Sequence, residues 1–345
     1  MYNPVAVVPD TSVRQPAGRI QTRIGILYLW LGLPLMLVSR IVLPRGGYLG
    51  LLLIGLVHLA LLAAVATHLN TRSRVARGTG ATGTAGLLLL LGPAIFVLGA
   101  ASGAPGPANP ASYAWNTMGL FLGSIVTLAG FVALAVAVWT RGELVPAALG
   151  LAGALLATTL WLPSLALRIA VLATGSGDVW AALDEVYAHF RASNAPVAQF
   201  ADSWRVFLLL VAYVLSTVHK VFVFLICAHF ASTLRRVDLI GVAAARTLGV
   251  LGLALAAVVL FGRLLFAVPA VRVAWMVATM PFGAYVLAYA LGVTLIAYAS
   301  WGVRHVPEPE RSRANGHADA SGPANGLARS SRRWRRAIGV PTVHI

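Results

Sequence analysis

Four histidines carry the spacing most suggestive of chemistry. His58 and His68 are ten residues apart, and so are His219 and His229. On one helix that interval rises about 15 Å and turns about 1000°, some 80° short of whole turns. Both rings of a pair can then address one facing helix, each about 40° off the line of centres. Two such helices side by side would present two stacked pairs of opposed imidazoles. Opposed imidazoles without cysteine or a nearby carboxylate suit six-coordinate b-type haem. Zinc more often takes further ligands, commonly with a carboxylate. The expected iron ligands are His58 and His219, with His68 and His229 as the second pair. A buried histidine bonded to a neighbouring helix, or an interfacial one that meets headgroups, is the plainer reading of each.

Haem propionates need cationic partners. Arg40 and Arg168 occupy similar places on two apolar runs and could meet the propionates of a mid-membrane haem. Lys220 and Arg246 could serve a haem nearer the inner face. Intramembrane charges are costly and read by default as functional. The competing role for each cation is to snorkel to the headgroups. Glu185 and His189, four residues apart in a polar segment, could bind a metal, but a solvated polar face explains them as well.

Composition decides what must position these residues. The 345-residue chain is 59% hydrophobic and only 10% charged, where soluble domains carry about 25% charged residues. That excludes a soluble enzyme, a disordered chain and a nucleic-acid-binding domain. The net charge of +16 then reports orientation in a membrane, and the bilayer is the first partner. A lone cysteine, Cys227, excludes a disulfide framework and cysteine-based metal sites.

Apolar runs near 20 residues predict eight membrane-spanning helices, at about 24–43, 49–68, 85–102, 116–139, 147–173, 205–229, 239–262 and 276–301. The expected fold is all-α and polytopic. Residues 1–23 form a tail, 24–139 and 147–301 two four-helix units, 174–204 a long outer loop within the second unit, and 302–345 a disordered basic tail. Val179, Leu183, Val186 and Phe190 would share one face of an interfacial helix in the outer loop. Arg332, Arg333, Arg335 and Arg336 flank Trp334 and could rest on anionic lipid. Arginines gather before the first span, in the even-to-odd loops and in the C-terminal tail, while fewer (Arg45, Arg191, Arg263, Arg272) fall on the other side. Both termini are therefore expected inside, at the plasma or inner membrane.

The two units read as copies. Arginines follow the second histidine in both, at Arg72 and Arg74 and at Arg235 and Arg236. Trp115 lies 57 residues after His58, and Trp275 lies 56 after His219; Trp139 and Trp301 follow at 81 and 82. Trp30, Pro34 and Arg40 have counterparts in Trp161, Pro163 and Arg168. An even number of helices per unit makes the repeat parallel, with a pseudo-two-fold along the membrane normal. Spans two and six would then run in the same direction at equal depth.

Two tandem four-helix units with histidines on the second helix of each resemble haem A synthase. Spans one, two and four are also similar to the helical modules of heme-copper oxidase subunit I, where a span resembles Gly119-Leu120-Phe121-Leu122-Gly123. The resemblance implies haem b, with His58 and His219 as ligands, in electron transfer or haem handling with a redox partner. Spans four and eight carry no histidine, where haem A synthases place one, and the copper-binding cluster of the oxidases has no counterpart. A second reading is a transporter for an anionic solute or lipid, using Lys220, Arg246 and His219 in proline-broken spans at Pro93, Pro163, Pro269 and Pro281. Every Asp and Glu lies outside the spans or at their edges, which removes the usual coupling carboxylate. A third reading is a non-catalytic subunit of a larger membrane complex. Retinal-protein, di-iron and nucleotide-binding patterns are not met.

Overall fold

The computed structural model describes residues 15–42, 47–77, 80–101, 110–173, 204–262, 264–280 and 282–302. The expected interfacial helix of the outer loop lies outside the described residues, as do 1–14, 303–345, Glu185 and His189. Residues 15–23, expected as part of the N-terminal tail, are instead helical, because hydropathy marks the apolar layer and not where the helix begins. The described chain is helical: α1 Gln15–Val42, α2 Gly47–Arg77, α3 Gly80–Ala101, α4 Pro110–Trp139, α5 Leu144–Ala173, α6 Trp204–Arg236, α7 Val242–Phe261, α8 Pro269–Thr279 and α9 Gly283–Gly302. In lipid a backbone N–H or C=O has no water to bond, so each segment must satisfy its own groups. Pro34, Pro93 and Pro163 sit inside α1, α3 and α5 without ending them. Among the described residues, seven helices (α2 to α7 and α9) are long and apolar enough to cross a bilayer. The apolar stretch of α1 is the shorter Ile20–Met36.

Several boundaries differ from the sequence expectation. Helix α2 continues to Arg77 and α6 to Arg236, so His68 and His229 lie inside their helices rather than at the ends. The polar residues that end the apolar runs keep helical backbone, because hydropathy reports the apolar layer and not the hydrogen-bond ladder. The last expected span is divided: α8 has eleven residues, about 16 Å, too short to cross, and α9 begins after the break.

Helix α9 is the centre of the fold. It packs on α1, α2, α3, α6, α7 and α8, and Leu291, Val293, Leu295 and Ile296 are buried on successive faces. Around it lie two apolar cores. Leu29, Leu62, Leu90, Val97 and Val293 join α1, α2, α3 and α9. Phe96, Leu134, Trp161, Phe224, Phe230 and Leu287 join α3 to α7 with α9. Other large apolar side chains, such as Leu53, Val57, Val250 and Leu253, are exposed on the outer faces, where a membrane protein meets lipid tails. The pairs α1–α2 and α5–α6 both pack. The final spans differ: α4 is continuous, while its expected counterpart is the divided α8–α9.

Helices α3 and α4 touch backbone to backbone. A Cβ on Gly119 would stand 2.4 Å from the Gly99 Cα, and small residues at such a crossing let dispersion and weak polar contacts replace the hydrophobic effect that lipid does not supply. Gly119→Val should therefore destabilise the protein by about 1–3 kcal/mol through overpacking. Gly249→Ala, whose Cβ would meet nothing within 4 Å, should stay within about 0.5 kcal/mol. Thermal unfolding in a mild detergent reads both. Equal melting temperatures for the two variants would contradict the contact.

Candidate functional site: a buried histidine and lysine beside an interrupted helix

Three of the four described histidines, His58, His219 and His229, turn to the helix before their own. A carbonyl only accepts, so the imidazole nitrogen facing it must donate. His58 on α2 donates from Nε2 to the Gly32 carbonyl (3.0 Å), and its Nδ1 then accepts from the Tyr28 hydroxyl (3.1 Å). Both ring nitrogens are engaged with α1. His229 donates from Nε2 to the Pro146 carbonyl of α5 (2.9 Å). His219 donates from Nδ1 to the Ala157 carbonyl of α5 (2.8 Å). Its ring, 3% exposed, lies 5.2 Å from Trp161 and 5.9 Å from Tyr285. His68 is exposed.

His58 and His219 are not brought together. Helix α2 packs on α1, α3 and α9, and α6 on α5, α7, α9, without α2 and α6 forming a packed pair. The described residues thus do not offer the opposed imidazoles expected for haem iron between spans two and six. Among them no group of three or more His, Cys, Asp or Glu is placed to hold a metal ion. The ten-residue interval fixes how two rings relate on one helix. Which neighbour that face meets is decided by packing, and here α9 packs against both α2 and α6.

The expected cations also separate. Arg40 and Arg168 lie within α1 and α5, two and five residues from the helix ends, and their side chains are outside the described residues. Arg246 is exposed on α7, sixteen residues or about 24 Å from the Gly262 end, where Trp275 of α8 packs. Lys220 is 3% exposed. It stands sixteen residues from either end of α6, about 24 Å in each direction.

The Lys220 ammonium donates to the carbonyl of Thr279, the last residue of α8. The local sequence explains why that carbonyl is available. Met280 precedes Pro281, and a residue before proline is pushed out of the α region. Met280 accordingly has φ −57° and ψ 150°, so the last α8 carbonyls lose their i+4 partners. Gly283 closes the turn by donating to the Met280 carbonyl (3.0 Å), and a Cβ there would lie 2.6 Å from the Ala278 oxygen. A helix C-terminus carries partial negative charge and favours a cation. The break and the lysine thus form one unit.

Beside His219 lies a cavity of about 20 Å³, room for roughly one water. Its polar lining is Ser124 and Thr127 of α4, Thr158 of α5, His219 of α6 and Tyr285 of α9. Tyr285 is fixed by stacking on Phe96 at 3.9 Å between ring centres. Sequence reading singled out none of these hydroxyl residues, nor Thr279. Ser and Thr are common in spans without function, and only their convergence from separate helices distinguishes these. Pro281 was the one advance signal, and it marked the break without naming what the break faces.

No protein-family model, curated protein or solved structure matches the chain. The fold and the site define a polytopic helical membrane protein with a charged and an imidazole side chain buried next to each other on its sixth helix. The geometry ranks the histidines. His219→Ala removes a buried ring and its bond to α5 and should cost on the order of 2–4 kcal/mol. His58→Ala, from a half-buried position, should cost about 1 kcal/mol. Denaturant or thermal unfolding in detergent measures the order, and a larger loss at His58 would contradict it.

Proposed function

We propose that the protein is a carrier for a small anionic solute, with Lys220 as the group that meets the anion. The observation that carries this reading is the buried ammonium at mid-helix, seated on the open carbonyl end of an interrupted span. A lysine held in a bilayer interior is costly and is retained where a charge must be met there. Interrupted helices whose ends face the bilayer interior are how many carriers build polar sites without exposing backbone to lipid. The carbonyl of Thr279 supplies a resting partner. An arriving anion competes for the same ammonium, and the end of α8 at Met280 is where the backbone changes when the lysine leaves.

The arginine asymmetry supports both termini on the cytoplasmic side, with α1 as an eighth span in the plasma or inner membrane. In that orientation α8 enters from the outer side and Lys220 lies near mid-depth.

The experiment is uptake of radiolabelled phosphate, acetate and succinate into proteoliposomes. Lys220→Met should lower uptake of the transported anion about tenfold or more, as expected when one partner of a buried charge interaction is removed. Lys220→Arg should retain much of it, and Arg246→Gln, at an exposed position, should match the unmodified protein. Uptake equal in Lys220→Met and the unmodified protein would remove the reading. The same purified sample tests the haem alternative with a pyridine haemochrome assay. Stoichiometric haem b, lost in His58→Ala or His219→Ala, would replace the carrier with an electron-transfer or haem-handling protein.

A further inference from the structure

Hydrogen-bond accounting around the cavity identifies what it takes. Each hydroxyl has one proton to give. Ser124 gives its proton to the Leu120 carbonyl (2.6 Å), so at the 2.9 Å contact with Tyr285 the phenol must be the donor. Thr127 donates to the Gly123 carbonyl (2.7 Å), and Thr158 donates to the Ala154 carbonyl (2.9 Å). His219 uses its Nδ1 proton on Ala157, which leaves the neutral ring a lone pair at Nε2. That nitrogen is buried without a protein partner. Every polar side chain lining the cavity has thus spent its donor on its own helix, a neighbouring helix or a neighbouring hydroxyl. What remains toward the cavity is a set of acceptors from α4, α5, α6 and α9.

A cavity lined by acceptors selects a ligand that can only be useful by donating. Its volume of about 20 Å³ admits about one heavy atom. Lys220, the next residue on α6 and itself buried, disfavours a second cation close by in a low-dielectric interior. We infer that the cavity is a binding site for a single neutral hydrogen-bond donor, a water molecule, which donates to His219 Nε2 and to a hydroxyl oxygen of Ser124, Thr127 or Thr158. The water joins helices that are remote in sequence. It also keeps His219 in the tautomer that donates to α5. The site does not depend on the carrier reading, since it rests on the donor count, the cavity volume and the burial of Lys220 and not on any transported anion.

Solid-state NMR of the full-length protein in lipid bilayers, with histidine rings labelled with ¹⁵N, tests this directly. The His219 signal, identified by its loss in His219→Gln, should show a protonated Nδ1, a bare Nε2 and magnetisation transfer from water to the ring. Thr127→Val should weaken that transfer several-fold, while Thr159→Val, one residue along α5 on the exposed face, should leave it unchanged. A proton on Nε2, or no transfer from water, overturns the inference. Should His219→Gln fail to fold, a cryo-EM map of the unmodified protein at water-resolving quality decides. Density within hydrogen-bond reach of Nε2 supports the site, and an empty cavity overturns it.

Discussion

A polar group inside a bilayer must find its partner in the protein or in water the protein encloses, because lipid supplies none. That constraint organises the interior. His58, His219 and His229 each donate to a carbonyl of the preceding helix. Ser164 of α5 donates to the Ala212 carbonyl of α6 (2.7 Å), and Thr158, Thr217 and Thr294 donate back to their own helices. Lys220 is seated on α8 by the same rule. These bonds tie α2 to α1 and α6 to α5, so the histidines hold helix pairs together before they do any chemistry.

Packing supplies the second layer. Lipid tails are as apolar as leucine, so burial of apolar surface gives little drive for one helix to join another. Close approach takes its place. Gly99 and Gly119 let α3 and α4 touch along their backbones. That contact puts Phe96 of α3 against Trp161 of α5 and Tyr285 of α9. Tyr285 in turn reaches Ser124 of α4. The same α4 lines the cavity beside His219 with Ser124 and Thr127.

The interrupted helix and the cavity share one neighbourhood but differ in character. Beside Lys220 the carbonyl of Thr279 is open, because Met280 is forced out of helix by the proline that follows. Around His219 side-chain hydroxyls line the cavity. Adjacent positions on α6 point about 100° apart, so Lys220 faces α8 while His219 faces α5. One helix thus presents a cation to the carbonyl of Thr279 and an imidazole to a cavity lined by hydroxyls.

Composition and hydropathy are enough to define the class of fold. Long apolar runs with 10% charged residues leave a helical membrane protein as the solution, since hydropathy and backbone satisfaction are local properties. The sequence also marked Lys220 as unusual, because a lone lysine in an apolar run stands out without knowledge of its neighbours. Helix ends were less legible: α2 and α6 run past His68 and His229 because helical hydrogen bonds continue where hydropathy falls. The meeting of histidines from the two halves was read from their matched spacing, yet spacing along a helix constrains only rotation about that helix. Which helix lies opposite depends on small-residue contacts between distant segments and on a central position taken by α9. The hydroxyls of Ser124, Thr127 and Thr158 are hidden for the same reason: each is ordinary on its own helix, and it takes the packing of α4, α5 and α6 to bring them to one cavity with His219.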